Sequence, residues 1–257
     1  MIRAFRSELL KLRRLGMLLG GLGAMVGFSL LAVILTVARA DSNGRGSVSI
    51  AALSQPDGFA SILQRGSDFL GIFALGVVAV ATAQEYSSGA LRNLLVRQPH
   101  RVRLIAGKTL ASVAYVVVSV LIASLIALLA AELIMPARHV DTSAWLGAGL
   151  GITASTVGNL MLAAAGFGVF GALLALIVRA SAPAVIIGVA WTVVVENLLA
   201  RAWPNVGHWL PGQQLSAIVA GGNDISGYTW ALGLGMAFVA AAAVAGSALF
   251  RRRDVAV

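Results

Sequence analysis

The sequence predicts an all-α polytopic membrane protein with six transmembrane helices. Three observations predict it. Of 257 residues, 59% are hydrophobic and 11% charged, against roughly 45–50% and 25% in soluble domains. The apolar residues gather in long blocks separated by polar segments. Basic residues alternate between successive polar segments, the pattern that orients membrane helices.

The first element is residues 1–14. Ile2, Phe5, Leu9 and Leu12 recur at helical spacing, with Arg3, Arg6, Lys11, Arg13 and Arg14 around them. This predicts an N-terminal interfacial amphipathic helix in the headgroup layer, with a flexible basic tail as the alternative. Residues 15–38 form the first span, longer than the roughly 20 residues a crossing needs. Ala38-Arg39-Ala40 imitates a signal-peptidase site. The apolar run exceeds the 7–15 residues of a cleaved signal, so an uncleaved helix is expected. Gly16, Gly20, Gly23 and Gly27 share one stripe of it. Small residues on one face let helices approach closely, so the stripe is either a dimer contact or a glycine-rich face without that role.

Residues 39–66 read as a polar external loop, overlapping the second span at 61–83. A polar, arginine-rich island follows, then spans at 104–133, 155–178, 184–199 and 230–250. External loops are expected at 136–155 and 201–229, and a tight internal turn at 179–183. Trp145, Trp203, Trp209 and Trp230 fall near the expected outer ends, as an aromatic belt would. Six crossings make residues 1–257 a single transmembrane domain, with both termini in the cytoplasm.

The net charge of +9 does not imply a nucleic-acid partner. Most of it sits in Arg3 to Arg14, Arg92 to Lys108, Arg179 and Arg251 to Arg253, all on the side assigned to the cytoplasm. The absence of cysteine excludes disulfides, thiol catalysis and cysteine metal sites. Gly107-Lys108-Thr109 matches only the end of a P-loop, because Val102 stands where its first glycine belongs. His100, His139 and His208 lack the spacing of a zinc site, and no metal is expected. No serine nucleophile elbow is present.

The island carries the functional signal. Ser87 or Ser88 can cap a short helix, and Pro99 disfavours helical dihedrals before it. Between them Tyr86, Ala90, Leu91, Leu94 and Leu95 make an apolar face, with Arg92, Asn93 and Arg97 around it. A short cytoplasmic helix over 84–99 is expected. Amphipathicity alone leaves open whether it meets a soluble partner or merely fixes topology.

The island's motifs are Glu85-Tyr86, Gly89-Ala90-Leu91-Arg92, Pro99-His100-Arg101 and Gly107-Lys108. They resemble those of permeases in ABC exporters of the type-two export family (ABC-2 type). Phe5 to Arg14 resembles the family's interfacial helix, and Phe250 to Val255 its usual ending. Ala90 departs from the threonine expected more often there. The resemblance implies that 84–99 is a coupling helix, with Glu85, Tyr86, Gly89, Leu91, Arg92, Leu94, Leu95 and Arg97 engaging a cytosolic ATPase. It implies two permease copies, identical or homologous, on two ATPase subunits in the cell membrane. ATP and magnesium would be held by the partner, and this chain would carry no cofactor. Drugs, antimicrobial peptides and lipid-like compounds are the cargo classes such walls suit.

Carboxylates inside apolar runs cost roughly 2.5–3.5 kcal/mol at mid-bilayer, which often marks a pathway. Glu132 lies at an outer end, where an interfacial position is expected. Glu196, with Asn197, either lines a substrate pathway between the two copies, snorkels outward or pairs locally. Two other classes stay open: an ATP-independent carrier, and a membrane scaffold or immunity protein that transports nothing.

Overall fold

The computed structural model describes residues 15–41, 47–87 and 101–252. The expected interfacial helix at 1–14 lies outside them. Seven helices organise the described residues: α1 Leu15–Arg39, α2 Gly58–Ser87, α3 Arg101–Ile134, α4 Leu150–Val178, α5 Ser181–Ala202, α6 Pro211–Ala220 and α7 Tyr228–Arg252. All but α6 have the length and apolarity of a membrane span, counting bent α2 as one. No strand occurs among the described residues, only two isolated bridges. The chain is an all-α, multi-pass membrane protein.

Several helices outrun their apolar blocks. The 34 residues of α3 would reach about 51 Å, well past a hydrocarbon core of about 30 Å. Helix α4 begins at Leu150, five residues before the apolar run suggests, and α2 continues to Ser87. Polar residues extend a helix readily once water resumes, so hydropathy marks the lipid boundary and not the helix end.

The core is built on α4, which pairs most extensively with α2 and also meets α3, α5, α6 and α7. At Gly171 a Cβ would strike the Leu75 carbonyl oxygen. Only glycine lets these two backbones approach so closely. Phe167, Leu70, Leu75, Val78 and Leu160 fill the core around them. Arg179 ends α4 in the left-handed region at φ 59°, its N–H donating to the Ala175 carbonyl at 2.8 Å. That conformation turns the chain sharply into α5.

Helix α2 bends by 46° between Gly58–Ser67 and Phe69–Gln84. The Gly66-Ser67 pair lies at the bend, and the Ser67 hydroxyl donates to the Gln64 carbonyl at 2.7 Å. Gly/Ser pairs are a recognised cause of such kinks.

The end of the bundle opposite the island is capped by its own small core. Trp145 was expected in an interfacial belt. It is instead fully buried, its indole N–H donating to the Leu53 carbonyl at 2.8 Å and its ring 5.7 Å from that of Phe59. Segments read as separate loops pack on each other there, so the indole finds protein rather than headgroups. Trp203, Trp209 and Trp230 are exposed.

Candidate functional site

The island is framed by the two helices that flank it. Helix α2 carries Glu85 and Tyr86 in its last turn, and α3 starts at Arg101. Residues 84–87 therefore continue α2 and do not begin a separate helix. Gly89, Leu91, Arg92, Leu94, Leu95 and Arg97 lie outside the described residues. Lys108, expected on an extension of α3, is buried at 5% exposure. Beside this end, α3, α4 and α7 enclose an apolar groove of about 300 Å³, with Ile105, Thr109, Leu176 and Gly246 among its walls.

Glu196 occupies a site the sequence could not specify. Residues Ala190–Val195 of α5 form a turn of π-helix. Widening the turn displaces the following residues around the axis, and such turns concentrate at functional positions. Glu196 follows directly and is fully buried. Its Oε1 accepts from the Trp191 indole N–H at 2.8 Å and from the Gly212 N–H at 3.1 Å. Its Oε2 accepts from the Gln213 N–H at 2.9 Å.

Gly212 and Gln213 open α6, whose first N–H groups have no partner within their own helix. In an apolar medium each such group would be costly. The carboxylate supplies acceptors and places negative charge at the positive end of the helix dipole. Gly212 has room for this only because it lacks a side chain; a Cβ would lie 2.5 Å from Glu196 Oε2. Glu196 thus fastens α6 to α5.

Asn197 is exposed, and its amide donates to the Thr192 and Val193 carbonyls at 3.2 and 3.1 Å. These are carbonyls of the widened turn, so Asn197 helps complete it. Gln214, also fully buried, donates to the Gly207 and His208 carbonyls at 3.2 and 3.0 Å. Leu215, Ala217, Ile218 and Val219 seat α6 in the main core.

This helix falls within 201–229, expected to be an external loop. Signals for it exist in the sequence. Pro211 opens it and Gly221 closes it at φ 73°, the asymmetry expected of a helix. Its ten residues are too few to register as a span.

The glycine stripe divides from the core. A Cβ at Gly20, Gly23 or Gly27 would meet nothing within 4 Å, whereas one at Gly21 would meet the Tyr115 hydroxyl at 2.7 Å. Gly21 is the α1 glycine against α3. Glu132 stands at the far end of α3 and accepts from the Thr142 hydroxyl at 2.7 Å.

No curated protein matches the chain. The family described as "ABC-2 family transporter protein" matches residues 4–195, which takes in α1 to α4, the island and most of α5. The chain belongs to the ABC-2 family of transporter proteins and is the membrane permease component of an ABC transporter.

Proposed function

We infer that this permease works as an exporter, driven by a separate cytosolic ATPase that presses on residues 85–108. The observation that carries this reading is the frame of the island. Both flanking elements are long helices, α2 running on beyond its bend to Ser87, and α2 is the principal partner of core helix α4. A load applied at Glu85 or Arg101 would therefore reach the centre of the bundle through rigid elements. Nucleotide-driven closure of the ATPases would bias one arrangement of the permease over another.

The island would present Leu91, Leu94 and Leu95 to a cleft on the ATPase, with Arg92 and Arg97 at its rim. Two permease copies, identical or homologous, would share the load in the cell membrane, termini inward. The open stripe of Gly20, Gly23 and Gly27, continued by Gly16, would receive the second copy. The apolar grooves suit a lipophilic or amphipathic cargo.

The test is the permease co-purified with its ATPase and reconstituted in lipid. Leu91→Asp and Leu95→Asp should leave insertion intact and lower permease-stimulated ATP hydrolysis about tenfold, as loss of a buried apolar anchor predicts. Unchanged stimulation in both would sink the coupling role.

A further inference from the structure

A second groove lies at the opposite end of the bundle, between α1 and the bent first half of α2. Its volume is about 350 Å³. Arg39 and Arg65 line it, with Thr36, Gly66, Phe28 and Phe69. The groove has a polarity along its length. Phe28 and Phe69 stack at 5.4 Å at its inner end. Ala32 and Gly66 bring the helices together at its middle, where a Cβ on Gly66 would lie 3.1 Å from that of Ala32. Arg39, in the last turn of α1, stands at the outer end. From Phe28 to Arg39 is eleven residues of helix, about 16 Å.

We propose that this groove binds one anionic phospholipid, its phosphate between Arg39 and Arg65 and one acyl chain along the face running down to Phe28. Charge and access choose that occupant. Guanidinium groups recognise phosphate through paired N–H donors, and two of them border a site otherwise almost wholly apolar. Leu31, Leu35 and Phe69 are exposed beside it, on helices that cross the membrane. The groove is thus open sideways to lipid, and a bilayer lipid reaches it without leaving the leaflet. Lipid in this place would wedge α1 against α2 above their crossing point. The inference needs only membrane embedding and is independent of the ATPase reading.

The experiment places the full-length chain in nanodiscs of phosphatidylcholine containing a minority of phosphatidylglycerol. Lipid retained on mild release is counted by native mass spectrometry. The wild type should retain phosphatidylglycerol preferentially, and R39Q/R65Q should lower that preference at least about tenfold, since the loss of a single charge-assisted contact is already of that scale. Arg138→Gln, an arginine at the same end outside the groove, should leave it unchanged. Leu35→Trp fills the groove and keeps both charges, and it should also abolish retention. Equal retention of both lipids by the wild type would overturn the proposal. So would a preference that survives R39Q/R65Q. Loss in R39Q/R65Q with full retention in Leu35→Trp would reduce the effect to surface attraction and overturn it equally. Circular dichroism confirms that each variant is folded, and Leu35→Trp decides if the double variant is not. Failure of ATPase stimulation in the coupling variants has no bearing on this count.

Discussion

The indole N–H of Trp191 meets Oε1 of Glu196 at 2.8 Å, five residues further along the same helix. In a regular α-helix, side chains three and four apart are neighbours, and a pair at five diverges. The π turn at Ala190–Val195 restores the approach. A local widening of the backbone thus aims a carboxylate at α6, and the same carboxylate holds Gly212 and Gln213.

Glu196→Ala should therefore loosen α6 and not merely remove a charge. Hydrogen bonds to charged groups contribute about 1.5–3 kcal/mol, and leaving donors buried without acceptors adds to the loss. Thermal unfolding in detergent should show a destabilisation of about 2 kcal/mol or more. Glu196→Gln keeps an acceptor in place and should lose less. Trp191→Phe, which removes one donor to the carboxylate, should lose about 1.5 kcal/mol. An alanine variant as stable as the wild type would remove the cap from the account.

The two classes of glycine should separate in mutagenesis. Gly171 faces the Leu75 backbone, whereas Gly23 faces open space. Gly171→Leu should prevent α4 from reaching α2, a backbone clash beyond the ~1–3 kcal/mol of ordinary overpacking. Gly23→Leu should leave the folded subunit's unfolding temperature unchanged. If a second copy packs on that stripe, Gly23→Leu should instead lower the dimer fraction in cross-linking. Equal tolerance of both substitutions would contradict the packing at Gly171.

Much of this architecture was legible in the sequence because lipid imposes a coarse constraint. A run such as Leu15 to Ala38 has few alternatives to a helix, and the island's motifs pointed to the family that residues 4–195 match. What stayed illegible depends on tertiary neighbours. Trp145 has the composition of a belt residue, yet Leu53 and Phe59 bury it. Periodicity singles out the stripe at Gly20, Gly23 and Gly27, while the close approach between the backbones of α2 and α4 is at Gly171. Spacing tells which residues share a face and not what that face meets. Helix α6 was missed because ten residues between polar segments resemble a loop, and its polar N-terminus is satisfied by Glu196, distant in sequence.

Acid should weaken one turn of the cap opposite the island. Asp141 is fully exposed, and hydrogen bonds from the Ser143 hydroxyl and N–H hold its carboxyl below the ordinary aspartate value. A carboxyl lowered by folding contributes stability above its unfolded pKa, and that contribution fades as pH falls through the folded value. The stability difference between wild type and Asp141→Asn should be constant above about pH 5 and shrink below about pH 4. A difference that grows on acidification would carry the wrong sign.

Trp145 offers the sharpest test of the cap. Its indole fills the small core and donates to the Leu53 carbonyl, and both contributions can be separated. Trp145→Ala deletes the packing, so about 3–5 kcal/mol should be lost. Trp145→Phe retains an aromatic ring against Phe59 but strands the carbonyl, for about 1–3 kcal/mol. Gly58 adds an independent check. A Cβ there would lie 2.7 Å from the Trp145 indole nitrogen and also strike the Leu53 carbonyl. Gly58→Ala should therefore disrupt the same hydrogen bond from the opposite side. Because both changes break one contact, the double variant Gly58→Ala/Trp145→Phe should be less destabilised than the two single losses added together. Strict additivity in that cycle would show that Gly58 and Trp145 do not act through the Leu53 carbonyl.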